Sequence, residues 1–129
     1  MKPTILVAVA AGGAIGSVLR YVVAGLLQGP AWTGFPYGIF TVNVSGGFVM
    51  GLLTEALALR FNVSPETRAF LTTGVMGGYT TFSTFSLESV LLIQRDAYVS
   101  AAAYIIGSAL LSIGALYCGL WLVRAVYAH

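Results

Sequence analysis

The sequence predicts an all-α membrane protein: one domain over residues 1–129, four transmembrane helices, the third broken mid-membrane. Three observations predict it. Only 8% of the residues are charged and 58% are hydrophobic, whereas soluble domains carry about 25% charged residues. Too little polar surface remains for an exterior facing water. Apolar stretches alternate with short polar or Gly/Pro-rich turns, and a helical span needs about 20 apolar residues, so the length admits four. The third stretch contains GGYTTFSTF, residues 77–85, whose glycines and run of Thr, Phe and Ser favour irregular over helical backbone.

Span 1 is read from Thr4 to Leu27. Its opening, MKPTILVAVAAGG, has the Lys, apolar run and small residues of a secretory leader, but the apolar character continues well past Gly13, so it is read as a retained span. QGPAWTGFPYG, residues 28–38, is a loop, with Trp32 and Tyr37 suited to the membrane–water boundary. Span 2 runs from Ile39 to Leu59. In the polar turn that follows, Ser64, Pro65 and Glu66 form a helix start: a hydroxyl cap, proline at the first helical position, an acid in the first turn. Span 3 covers Arg68 to Ile93, and span 4 covers Tyr98 to Val126 after the turn QRDA. Lys2, Arg60, Arg68 and Arg124 then fall toward one side, Arg20 and Arg95 toward the other. The cation excess that sets orientation is therefore modest, and insertion both ways round is allowed.

Six cations and four anions give a net charge of +2 and are scattered singly, which argues against nucleic acid as a partner. Cys118 stands alone, so no intrachain disulfide can form. The only His is the terminal residue. Neither a His-based dyad nor a metal cluster can be assembled within the membrane, so the chain is not expected to be an enzyme, and it carries no ATP motif.

Polar groups inside the spans carry the functional reading. Arg20 lies about 24 Å along a helix from Thr4, where it can snorkel to the interface or stand as a cation at a water-filled mouth. Asn43 lies about 9 Å inside span 2. Its amide needs partners, either as glue between helices or as a donor to a ligand. Tyr104, Ser108 and Ser112 recur at spacing four, a hydroxyl stripe about 12 Å long that either back-bonds to its own helix or lines a path. Glu55 and Glu88 lie toward span ends, where snorkelling is favoured over a coupling role. Gly12 and Gly16, Gly47 and Gly51, and Gly74 and Gly78 allow close helix approach. A break at residues 77–85 survives at membrane depth only if buried in protein or lining a cavity, and unwound carbonyls there suit a cation. Phe82 and Phe85 are core residues on one reading. On another, their positive ring edges face an anion.

GGAIGSVLRY (12–21), FTVNVSGG (40–47) and GVMGGYTTFSTF (74–85) together resemble the signature segments of the Fluc family, small bacterial fluoride channels also called CrcB. The resemblance covers the whole chain in length, span number and motif order, and the third segment is its most specific part. Ile39 departs from it, standing where the family often has Thr. The resemblance implies an antiparallel, dual-topology homodimer in the bacterial inner membrane, with two fluoride pores lined by both chains. A structural sodium ion would sit on the two-fold axis, held by the Gly77 and Thr80 carbonyls. Phe82 and Phe85 would turn ring edges toward fluoride, and Asn43 would donate a hydrogen bond. Ser83 and Thr84 would lie beside the path, Tyr104, Ser108 and Ser112 would form a polar track, and Arg20 would sit in the vestibule. Fluoride would leave the cytoplasm passively. The rival reading, a dimeric transporter of the small multidrug-resistance type, requires a carboxylate deep in the first helix, and span 1 has none. An accessory subunit without transport of its own is the other alternative.

Overall fold

The computed structural model describes residues 1–127, and among them it contains helices and no strand. Helix α1 spans Pro3–Leu26, α2 spans Tyr37–Leu59 and α6 spans Tyr98–Tyr127. These three are long and apolar enough to cross a membrane. α1 starts on a proline in its first turn, where no amide hydrogen is needed. It stops before Gly29, whose φ of 72° is left-handed, and Pro30 after it cannot resume the helix. A short 3₁₀ turn, Ala31–Thr33, carries the chain to α2.

Between α2 and α6 the backbone is helical only in pieces. These are α3 (Pro65–Ala69), a wider π-wound stretch (Phe70–Met76), α4 (Gly77–Tyr79) and α5 (Ser83–Gln94). The start is the one expected. Ser64 Oγ accepts the Thr67 amide at 3.2 Å, and Pro65 holds the first helical position. The interruption also falls inside the segment expected to break: Thr80 turns extended at φ −79°, ψ 157°, and regular helix resumes at Ser83. The π-wound stretch was not foreseen. In it the Gly77 amide reaches the Thr72 carbonyl, five residues back.

The three glycine pairs bring backbones together within this one chain. A methyl group at Gly16 would collide with the Val75 carbonyl and the Tyr79 amide, and Gly74 and Gly78 face Gly12 and Gly13 in return. Gly47 and Gly51 seat α2 on the α6 backbone at Ser112 and Leu116. Because the obstacles are main chain, they cannot swing aside. Gly16→Ala is therefore expected to destabilise the fold by about 1–3 kcal/mol, seen as a lower melting temperature in detergent. Gly114→Ala, which meets nothing within 4 Å, should leave it nearly unchanged.

The bundle's inner core is small: Leu92, Ala101 and Tyr104, with Phe35, Phe40 and Phe85 packed around them. Many large apolar side chains, such as Val7, Val18, Leu110 and Ile113, point outward, as a bilayer solvent requires. Glu55 does not reach for headgroups. It is 8% exposed, and its carboxylate accepts Arg124 Nε at 2.6 Å, which ties α2 to the end of α6. Arg68 donates to the Leu57 carbonyl at 3.1 Å, satisfying an acceptor that the end of α2 leaves free.

Candidate functional site

Extended backbone at Thr80 redirects the hydrogen bonds of the whole break. In a continuous helix the Thr81 amide would bond the Gly77 carbonyl. Instead it donates to Asn43 Oδ1 at 2.9 Å, while Asn43 Nδ2 donates to the Thr81 carbonyl at 3.0 Å. One side chain of α2 thus grips both polar groups of a single residue. The Thr84 amide turns to Thr81 Oγ1 at 3.2 Å rather than to the Thr80 carbonyl. The Thr80 carbonyl accepts Arg20 Nη1 at 3.3 Å, and the Phe82 carbonyl accepts the Ser86 amide at 2.8 Å. Asn43 is therefore glue, as one sequence reading held. Its amide nitrogen carries two hydrogens, so one remains to donate elsewhere.

Beside the break lies a groove of about 620 Å³, lined by Asn43, Gly77, Thr80, Phe82, Phe85, Ser108 and Ser112 among others. Seven of the residues singled out in the sequence thus meet in one place. The Phe82 and Phe85 rings are 5.5 Å apart at 47°, and Phe82 is 79% exposed in the single chain, so it is no core residue. Ser108 Oγ and Ser112 Oγ are buried without a hydrogen-bond partner among the described residues. A buried hydroxyl without a partner costs free energy, and neither of these back-bonds to its helix. Both are available to something that accepts or donates in the groove.

A second cavity of about 770 Å³ holds Arg20, Thr84 and Glu88, with Ser17 and the buried Ile39 in its wall. Tyr104 stands apart from the serine pair although it shares their helix face. It is fully buried, packs on Phe85 and Phe35 with centroids 5.3 and 5.6 Å away, and donates its hydroxyl to Glu88 at 2.7 Å. Ser83 lines neither cavity; it is exposed, its Oγ 3.4 Å from Thr81 Oγ1. Two participants escaped the sequence reading. Thr81 is the residue that Asn43 clamps, and nothing in a Thr-Thr pair says which member is held. Glu88 binds Tyr104 rather than snorkelling; only the hydroxyl facing it from α6 could have signalled that.

Residues 7–120 match the model of the family described as CrcB-like protein, Camphor Resistance (CrcB). The chain is 55% identical over 127 residues to the Fluoride-specific ion channel FluC of Caulobacter vibrioides (strain NA1000 / CB15N), covering 95% of this chain and 98% of the relative. It is 49% identical over 129 residues to the protein of the same name from Nitrobacter winogradskyi, covering 98% of this chain and 100% of the relative. Against that of Rhizobium meliloti (strain 1021) identity is 48% over 118 residues, with coverage of 92% and 94%.

Proposed function

This chain belongs to the CrcB family, and from that premise we propose that it is a passive, fluoride-selective channel that lets fluoride leave the cytoplasm. It catalyses no reaction. The observation that carries the reading is the groove beside the broken helix, where an aromatic pair, Phe82 exposed and Phe85 half-buried, meets unpartnered hydroxyls and an amide with a hydrogen to spare. Relatives at about half identity that bear the name Fluoride-specific ion channel support the choice of ion.

Fluoride is small and strongly hydrated, so a pore must replace its water with donors. Asn43, Ser108, Ser112 and the positive edges of Phe82 and Phe85 supply several modest contacts in series, which let an ion enter and still leave. Ser83, Thr84 and Tyr104 stand beside this path, and Arg20 draws anions toward its mouth. Hydrofluoric acid crosses membranes as a neutral molecule in acidic surroundings and ionises inside. An open path then suffices, because the inside-negative potential drives the anion out.

In this reading the pieces from Pro65 to Gln94 form a fourth crossing, making the chain a multi-pass protein of the bacterial inner membrane. It works as an antiparallel homodimer with two pores. The Gly77 and Thr80 carbonyls fit a structural sodium ion in chemistry: the Gly77 carbonyl has lost its helical donor to Asn43, and the Thr80 carbonyl, which accepts Arg20 with one lone pair, would offer the other. Unwound carbonyls are the usual sodium ligands of interrupted membrane helices. Two oxygens are few for one ion, and an antiparallel copy would double them. Bound there, sodium would supply positive charge that braces the break.

Purified protein reconstituted in liposomes should release fluoride as an uncoupled current, with chloride barely moving, each followed by an ion-selective electrode. Chloride efflux as fast as fluoride would overturn the selectivity, and absence of any fluoride efflux would overturn the channel.

A further inference from the structure

We propose that Arg20 is a positioning residue of the break and not only a lure for anions at the mouth. Backbone groups left unpaired at membrane depth are expensive, so a break persists only where something holds them. The three carbonyls across the interruption each have a donor. The Thr81 carbonyl has Asn43 from α2, the Phe82 carbonyl has the Ser86 amide of its own segment, and the Thr80 carbonyl has Arg20 from α1, at 3.3 Å. Two helices thus fix two consecutive peptide groups, and to the close glycine packing of α1 on the break Arg20 adds a side-chain hydrogen bond. The same guanidinium opens onto the cavity that Glu88 also lines, yet its hydrogen bond goes to the carbonyl.

The two roles ask different things of the side chain. Attraction needs only a positive charge. Positioning needs the reach and the planar fork of a guanidinium, which lysine lacks. The contact is already long, so the shorter ammonium of Arg20→Lys keeps the charge and loses the carbonyl. A pure lure would tolerate lysine and fail with glutamine. A positioning residue fails with both.

The sequence offers an internal reference for the test. Only Thr72–Thr73 and Thr80–Thr81 are consecutive threonines. Protein labelled with ¹³C-carbonyl, ¹⁵N-threonine therefore gives two carbonyl–amide correlation peaks, one reporting the Thr80 carbonyl and one a carbonyl away from Arg20. At fixed sodium in lipid nanodiscs, Arg20→Lys and Arg20→Gln should both move the Thr80 peak in the direction of a lost hydrogen bond and leave Thr72 in place. Fluoride efflux should fall at least tenfold in both. A Thr80 peak unmoved in Arg20→Lys together with wild-type efflux would leave only the lure. Equal movement of both peaks would make Arg20 a general packing residue, and either result overturns the proposal. The flux arm rests on the channel reading above, whereas the carbonyl shift does not. Wild-type protein that carried no fluoride would sink the channel while the Thr80 peak still judged Arg20.

Discussion

Phe82→Ile and Phe85→Ile are each expected to stop fluoride efflux, by roughly a hundredfold, which corresponds to about 2.7 kcal/mol on a barrier. Isoleucine fills much of the space of a phenyl ring but has no quadrupole and so no positive edge to offer an anion. The two substitutions should differ in what else they do. Phe82 is 79% exposed in the single chain, so its replacement should leave the packing within that chain almost unchanged. Phe85 packs on the buried Tyr104 ring, and a volume-similar swap there should cost about 1 kcal/mol. Efflux from liposomes and thermal melting of the same preparations check both. Undiminished flux in the two variants would remove the rings from the path.

Asn43→Leu should lose flux and stability together, and more stability than either phenylalanine variant. Leucine is close to asparagine in shape but can neither accept the Thr81 amide nor donate to the Thr81 carbonyl. Each orphaned group costs about 1–3 kcal/mol, so the pair predicts a loss of about 2–6 kcal/mol and a clearly lower melting temperature. The break would relax, and the groove beside it with it. A variant melting with the wild type would mean that the asparagine does not brace the break. Set beside Phe82→Ile, the comparison separates a residue that meets the ion from one that holds the architecture in which the ion is met.

What could be read from the sequence was whatever depended on local composition. Spans ended where Pro, Gly or a charge appeared, and α6 starts at Tyr98, as the turn QRDA demanded. Ser64, Pro65 and Glu66 announced a helix start, and the glycines and hydroxyls at 77–85 announced a break. Matters of partnership were not legible. Asn43 plainly needed a partner, but Thr81 lies 38 residues away. Glu55 looked free to snorkel because Arg124, its partner, lies 69 residues on. Tyr104 shares a helix face with Ser108 and Ser112, and spacing predicts faces well. Yet its side chain is long enough to leave that stripe and deliver its hydroxyl to Glu88, while the two short serines stay at the groove. Periodicity says where a Cβ lies, not where a ring ends.

The π-wound stretch at Phe70–Met76 has a consequence for everything downstream. A turn closed over five residues rather than four holds more chain per unit of rise than the ordinary winding, so it sets the azimuth at which the following segment emerges. Each residue of an α-helix advances the azimuth by about 100°, so the compass bearing of the two phenyl rings depends on how many residues precede them. No residue of the stretch need touch the ion for this to hold. Aim at this site is thus a matter of counting: the length of chain from Ser64 onward is as much a part of the aromatic pair's setting as the rings themselves.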